Sequence, residues 1–405
     1  MLDIDLIKTD FPILDRKVNG CPLVYLDNAA TTQKPRPVMD ASRYYYEAQN
    51  SNIHRGTHSL ARLATSTFEK ARITIASHLH AAAPEEVIFT SGTTDGINLV
   101  ANVLSLSEMI RAGDEILVST LEHHSNIVPW QMLCQRTGAV LKVIPCHEDG
   151  TLDLAAFKTL LGARTSVLAL TWVSNAFGTV NPVREMVAAA KQAGAMVLID
   201  AAQAAPHLPI DVQSLGADFL VLSGHKVYAP TGIGVLWGKA SVLNGLPPWR
   251  GGGEMIKEVT FARTTYNSLP FKFEAGTPNI EGAIALAAAL DYVNEIGLSR
   301  IHEWECQLAR AAIEGLSSIA GIRIYGPAAS SGIVSFGVEG LHHYDLGTLL
   351  DQMGVAVRTG HHCCQPLMAR FGITGTTRAS FALYNTEEDV DTFVKATHKV
   401  VGMLR

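Results

Sequence analysis

The run DFLVL ends in Ser223-Gly224-His225-Lys226, so a lysine stands at the mouth of a strand instead of on an exposed helix face. At its reference pKa of ~10.4 a lysine is a poor nucleophile, but a partly buried site beside other cations lowers that value enough for imine formation with an aldehyde cofactor. Alone, Lys226 would equally suit plain surface solvation. Its company argues otherwise. MVLID sets Asp200 at the end of another strand, with Gln203 three residues on. A carboxylate there pairs with the protonated nitrogen of a pyridine ring that takes up carbanion electrons. As a structural alternative, Asp200 also suits a helix N-cap before AAQAA.

Between the apolar run VIFT and the helical NLVANVL lies Ser91-Gly92-Thr93-Thr94-Asp95-Gly96-Ile97-Asn98. Glycines, hydroxyls and fresh backbone N–H groups meet there at a helix N-terminus, which binds phosphate through amide donors and the positive end of the helix dipole. The segment lacks the lysine of GxxxxGK(S/T), which sets it apart from a nucleotide P-loop. His123, just beyond EILVS, offers an imidazole that can stack on a planar ring and exchange a proton near neutrality. A hydrogen-bonded structural histidine is the plainer alternative. The His pairs have no carboxylate at ligand spacing, so no metal site is expected. Cys363 closes RTGHHC. A thiol of reference pKa ~8.5 becomes a strong nucleophile where cations favour the thiolate, and Arg358, His361 and His362 are close in sequence. The alternative is a buried, inert thiol.

These residues need elements to position them. From about Val87 to Val235, short apolar runs (VIF, EILVS, SVLALTWVS, MVLID, DFLVLS, GVLW) alternate with helix-like segments such as NPVREMVAAAKQAGA. That is the rhythm of a mainly parallel sheet covered by helices. Such sheets bind ligands beyond the carboxyl ends of their strands, where Lys226, Asp200 and His123 fall. Residues from Glu281 to about Ser318 read as one or two amphipathic helices leaving the sheet domain. GIVSFGV, VAVRTG and a closing helix TEEDVDTFVKATHKVVGML read as a smaller α+β domain. The expected division is 21–290 for the large domain, and 1–20 with 291–405 for the small domain and its N-terminal arm.

A chain of 405 residues exceeds the ~250–300 at which one core stops growing, in keeping with that division. Hydrophobic residues at 47% and charged ones at 17% are the balance of a globular enzyme. A net charge of −6 without any dense Lys/Arg block argues against nucleic acid or an anionic membrane as partner. The N-terminal MLDIDLIKTDFPIL is acidic and lacks a long apolar run. Neither a signal peptide nor a membrane span is expected there, and the expected location is the cytoplasm. Six cysteines with no CxxC pair and no repeated spacing give neither a disulfide framework nor a zinc site.

Across essentially the whole chain run the motifs YLDNAAT, SNIHRGTH, SGTTDGIN, LEHHSNIVPWQ, SNAFGT, DAAQAAPH, SGHKVYAPTGIGVLWG, GGGEMI, FEAGTPN, RTGHHC and RASFALYNT. Together the chain resembles the fold-type I enzymes that depend on pyridoxal 5′-phosphate (PLP), in the aminotransferase class V group, and within it the SUF-type (group II) cysteine desulfurases. The resemblance implies an α/β PLP-dependent transferase fold and a homodimer. It implies that Lys226 carries the cofactor, His123 stacks on its ring, Asp200 pairs with the ring nitrogen and Gln203 reaches the phenolic oxygen. Thr93, Thr94, Ser223 and His225 would hold the phosphate, with Thr277 of EAGTPN reaching the phosphate of the neighbouring subunit. Asn175 and Arg378 would hold the substrate carboxylate, a task that suits a planar guanidinium, and Arg358 is counted with them.

Enzymes of this shape run several reactions, so the choice rests on Cys363. The reaction implied converts L-cysteine to L-alanine. Lys226, displaced by the substrate amine, takes the Cα proton; the Cys363 thiolate attacks the substrate sulfur to leave an enzyme persulfide, with His123 as an acid. Cys364 stands where relatives carry a small residue, and a vicinal thiol there is placed to accept the sulfur or to be oxidised with its neighbour. Activity on L-selenocysteine shares the scaffold, as does a kynureninase-like hydrolase, which Cys363 disfavours. A silent scaffold of an iron–sulfur assembly complex would have little reason to keep Lys226, Asp200, His123 and Cys363 together. Group II likeness implies a SufE- or SufU-like acceptor protein and a role in iron–sulfur cluster assembly.

Overall fold

The computed structural model describes residues 2–328 and 331–405, and among them seven strands make the central sheet. These are β1 (Val87–Thr90), β2 (Glu115–Ser119), β3 (Val140–Ile144), β4 (Thr165–Thr171), β5 (Met196–Asp200), β6 (Phe219–Ser223) and β7 (Gly234–Gly238). Their spatial order is β1-β7-β6-β5-β4-β2-β3. Neighbours from β3 through β6 pair in parallel, and β7 alone runs antiparallel to its neighbours β1 and β6. The mainly parallel sheet read from the apolar runs is therefore present.

Successive strand residues point to opposite faces, and here both faces are covered, which is why VIFT, EILVS and FLVLS carry no polar alternation. On one face Ile116, Val118, Phe219 and Val221 meet α2 (Thr93–Leu106) and α3 (Val128–Thr137). On the other, Leu117, Leu168, Leu170, Leu220 and Leu222 share a cluster with residues of α1 (Ser59–His78), α4 (Val183–Gln192) and α5 (Ile280–Ile296). α2 lies close enough to β6 that a Cβ on Gly96 would come 2.8 Å from Val221 Cγ1. The glycine of SGTTDGIN thus fixes where the N-terminus of α2 sits.

α5 ends at Gly297, at φ +96°, and α6 (Leu298–Ser317) starts there, so the long apolar stretch is two helices. α5 is not amphipathic as expected. It is apolar around most of its circumference because it is buried between α1 and the helix Arg36–Tyr44. The second sheet is antiparallel, ordered β8-β9-β11-β10, from β8 (Ile322–Tyr325), β9 (Ile333–Val338), β10 (Arg358–Gly360) and β11 (Thr376–Ser380). Leu308 and Leu316 of α6 pack with Val334, Phe336 and Phe393, the last on α8 (Glu387–Leu404). Thr386 and Asp389 close a capping box at the start of α8. Val24–Tyr25 pairs in parallel with Val355–Ala356, and Asp27 bridges to Ser380, which carries YLDNAAT to the end of β11. Among the described residues no helix is long and apolar enough to cross a membrane.

Candidate active site

Segments following β1, β2, β4, β5 and β6 open at their carboxyl ends onto one cavity of about 230 Å³. Its wall brings together Thr93, Thr94, His123, Asn175, Asp200, Gln203, Ser223, His225, Lys226, Arg358, Cys363 and Arg378, joined by Ala29, Ser125, Thr171 and His362. Of the residues expected from sequence, Thr277 lies apart. It is exposed and lines two other hollows, one with Asn52, His54, Arg55 and Glu254 and one with Ser91, Asp95 and Arg250.

Lys226 ends a tight turn, Gly224–Lys226, directly after β6. Burial depresses its amine below the usual lysine range, and Arg378 and Arg358 add to this while Asp200 opposes it. Asp200 is the last residue of β5 and is 3% exposed. Its Oδ1 accepts the Ala202 N–H at 2.9 Å, and no protein donor reaches Oδ2 among the described residues. Burial raises its pKa and Lys226 pulls it back. No helix follows, only turns, so the N-cap alternative reduces to that one bond. Gln203 donates to the Ala29 carbonyl at 2.6 Å and its buried Oε1 has no partner.

At the start of α2 the Thr93 N–H donates to Ser223 Oγ at 2.8 Å, and that hydroxyl donates to Thr93 Oγ1 at 2.9 Å. Gly92, at φ +146°, must be a glycine here, and a Cβ on Gly234 of β7 would lie 2.5 Å from its Cα. The backbone therefore approaches closely enough to leave the α2 N-terminus open to an anion. His225 beside it is held neutral, its pKa pushed down to about 4 by burial, Lys226 and Lys34.

His123 Nδ1 accepts the Ser125 N–H at 3.1 Å, which places the ring proton on Nε2. Burial and Lys226 push its pKa down to about 3. The ring is therefore uncharged near neutral pH, and its Nε2 proton is the one available for the acid role expected of His123. Behind it stands Glu122, which sequence reasoning passed over. Its wholly buried carboxyl takes the Asn126 amide at 2.7 Å, the Thr171 N–H at 2.9 and 3.0 Å, and the Ser119 hydroxyl. Asn126 cannot turn round, because its Oδ1 accepts from Trp130. Burial pushes this carboxyl up to about 8, while its fixed donors favour the anion. Thr171 is in register with Asp200, so Glu122 ties the His123 turn to the strand end beside that aspartate.

Arg358 and Arg378 are direct cross-strand partners on β10 and β11. Arg378 is 1% exposed; it donates to the Asn175 carbonyl at 2.7 Å and to Asp27 Oδ1 at 3.1 Å, and its Nε has no partner. Two guanidiniums against one neighbouring carboxylate leave a positive corner that suits a carboxylate ligand. Asp27 comes from YLDNAAT, far from both arginines in the chain. The Asn175 amide is largely spent on the cysteine segment: Nδ2 donates to the His362 carbonyl at 2.7 Å and Oδ1 accepts from Cys364 Sγ at 3.2 Å. One N–H remains for a ligand.

Cys363 is half-buried in a turn between β10 and α7 (Gln365–Arg370), with His362 at φ +51° and Cys363 at φ +57°. Two successive side-chain residues in the left-handed region cost roughly 1–3 kcal/mol each, so the surroundings must hold them. Of the three cations expected around the thiol, two fail. His362 is buried against Thr376 with its pKa pushed down to about 2, and His361 Nδ1 accepts the Cys363 N–H, which requires a lone pair. Arg358 is the permanent charge that remains. Cys364 is corrected too: it has no accessible surface, and burial pushes its thiol up to about 12, so it is a packed donor to Asn175 and not a ready second sulfur acceptor. Among the described residues no group of three His, Cys, Asp or Glu side chains is placed to hold a metal.

An amine-bearing strand end, a buried carboxylate with a free oxygen, an orphaned amide oxygen and an open helix N-terminus together fit a phosphorylated pyridine aldehyde. The chain belongs to the aminotransferase class-V family, whose model matches residues 24–393. The cysteine desulfurase of Salmonella agona (strain SL483) is 50% identical over 402 residues, covering 99% of each chain. The crystal structure of the cysteine desulfurase CsdA from Escherichia coli superposes with a TM-score of 0.93 at 40% identity, covering 100% of this chain and 99% of that one. The apo cysteine desulfurase of Thermococcus onnurineus NA1 gives 0.94 at 38%, with the same coverage.

Proposed function

We propose that the chain is a PLP-dependent cysteine desulfurase that converts L-cysteine to L-alanine and leaves the sulfur on Cys363 as a persulfide. The observation that carries this is the meeting of Lys226, Asp200, Cys363 and the Arg358–Arg378 pair on the wall of one cavity. PLP, when bound, supplies an electron sink that acidifies the substrate Cα proton and weakens the Cβ–S bond. Lys226 would hold the cofactor aldehyde, and its depressed amine would be the base that takes up the Cα proton. Asp200 would pair with the ring nitrogen, and His123 would stack on the ring. Thr93, Thr94, Ser223 and His225 hold the phosphate. The arginine pair and the spare Asn175 N–H hold the substrate carboxylate. Cys363 attacks as thiolate: the Cβ–S bond breaks, an S–S bond forms, and the Cβ position gains hydrogen, so cysteine plus thiol becomes alanine plus persulfide. L-selenocysteine would enter the same site.

The working unit is a homodimer in this reading. Thr277 is exposed away from its own cavity, and apolar side chains stand exposed at Met39, Tyr44, Leu60 and Leu63 on the helix Arg36–Tyr44 and α1. The large domain of residues 21–290 carries the cofactor, and 1–20 with 291–405 complete the substrate side, supported by the packing of α5 on α1 and of α6 on α8. Sulfur then passes to a SufE- or SufU-like acceptor in the cytoplasm for iron–sulfur cluster assembly. The test is the absorption spectrum of the purified holoenzyme with and without L-cysteine, with assays for alanine and protein-bound persulfide. Cofactor absorbance that ignores cysteine, or free sulfide with no persulfide stage, would overturn the reading.

A further inference from the structure

Cys363 sits in a strained turn whose backbone is held by two imidazoles. The backbone N–H of His124 donates to the Cys363 carbonyl at 2.8 Å. His361 Nδ1 accepts the Cys363 N–H at 3.0 Å, and His124 Nε2 accepts the Gln365 N–H at 3.1 Å. Cys363 itself and Gln365, two residues on, are thus tied to two rings through nitrogens that serve as acceptors. A backbone N–H is an obligatory donor, so each of those nitrogens must carry a lone pair. A protonated ring has N–H groups at both positions and would turn donor against donor. His361 is exposed and His124 half-buried, so water reaches both.

We propose that His124 and His361 are positioning residues that hold Cys363 in its left-handed turn only while their rings are neutral, so that proton uptake releases the turn and slows sulfur transfer to Cys363. This rests on Cys363 being the sulfur acceptor. Most groups around the pair are imidazoles or cations that oppose added positive charge, with Asp345 the exception. The two rings face each other at 5.7 Å between centroids, and His123 lies 6.2 Å from His124. His342 and His343, at the start of the helix His343–Gln352, stand near His361 with Asp345 beside them, and Arg358 lies on β10. The fold favours neutral His124 through burial and the nearness of His361. Its contribution is therefore present above the unfolded imidazole pKa of ~6.5 and is lost as pH falls below it.

Asparagine and glutamine place an acceptor oxygen near His Nδ1 and Nε2 respectively, and no acid in this range protonates them. The experiment compares wild type, His361→Asn/His124→Gln and His361→Ala/His124→Ala holoenzymes in single turnover with L-cysteine from about pH 8 to about pH 5.5. Two signals are followed: the cysteine-induced change in cofactor absorbance, which needs Lys226 but not Cys363, and persulfide on Cys363 by mass spectrometry. In wild type the second should fall relative to the first as the pH drops, by up to about tenfold per pH unit. The Asn/Gln pair should recover transfer and lose that extra acid limb, whereas the Ala pair should transfer slowly at every pH with its absorbance change intact. Ala variants that transfer at the wild-type rate, or an acid limb that survives in the Asn/Gln pair, would overturn the proposal. Wild type that changes absorbance yet never places sulfur on Cys363 would instead overturn the reading of Cys363.

Discussion

Replacing Cys363 by alanine leaves Cys364 as the neighbouring thiol, and burial sets how little it can compensate. With its thiol pushed up to about 12, only about one Cys364 in 10⁴ is thiolate at about pH 8, against about one in four for an ordinary thiol of pKa ~8.5. The more basic thiolate is intrinsically the better nucleophile, by about 40-fold for a Brønsted slope of about 0.45 over that interval. The two effects leave Cys364 about 60-fold behind on reactivity alone, and its lack of accessible surface adds to the deficit. Persulfide formation in Cys363→Ala should therefore fall at least about a hundredfold, with alanine formation falling in step. The cofactor should stay bound and its absorbance should still respond to L-cysteine, because Cα proton removal uses Lys226. Cys364→Ala should lose one thiol contact to Asn175, about 1 kcal/mol of stability, and keep most of its sulfur transfer. Peptides mapped by mass spectrometry before reduction decide the matter. An added sulfur on Cys364 with Cys363 unmodified, or Cys363→Ala turning over near the wild-type rate, would refute the reasoning.

Arg378→Gln removes a charge-assisted partner of the substrate carboxylate worth about 1.5–3 kcal/mol, so the KM for cysteine should rise by about 10- to 150-fold with cofactor absorbance retained; an unchanged KM would return Arg378 to the role of partner to Asp27 and the Asn175 carbonyl. Asp200→Ala should cut kcat more than cofactor occupancy, and unchanged turnover would favour its bond to Ala202 as the whole of its role. Mixed dimers of Lys226→Ala and Thr277→Ala chains should regain one working site if Thr277 serves the partner's phosphate. No gain over the separate mutants, or a fully active monomer in sedimentation, would refute the shared site.

The elements that position the site were legible wherever burial on both faces forced continuous apolar runs, as in EILVS and DFLVLS, whose ends carry the residues that line the cavity. Asp200 and Lys226 could be read because each directly follows or ends such a run. What the sequence did not disclose depends on residues distant in the chain. Arg358 and Arg378 become one corner only through the pairing of β10 with β11, and Asp27 joins them from the far N-terminal side. Glu122 adjoins His123 in sequence, yet its role lies in a contact with Thr171 on another strand. The protonation of the histidines was misjudged for a related reason. Neighbours in sequence suggested cations around Cys363, whereas burial of His362 and the acceptor role of His361 remove two of the three.

That correction alters how the charge of the site responds to pH. His123, His225 and His362 are all pushed to about 4 or below by burial and by nearby cations, so none of them titrates between about pH 6 and pH 8, where an unperturbed imidazole would. The positive charge that meets a carboxylate is left to two guanidiniums. Substrate binding is thereby decoupled from mild acid. The imidazoles that water still reaches, His124 and His361, act on the nucleophile's backbone instead. A fall in pH toward about 5.5 should therefore leave KM for cysteine nearly level while kcat declines, since the carboxylate corner keeps its guanidiniums and the Cys363 turn loses its hold. Steady-state profiles of KM and kcat taken on the same samples check this, and a KM that climbs in parallel with the loss of kcat would show that a titrating group does share the carboxylate corner.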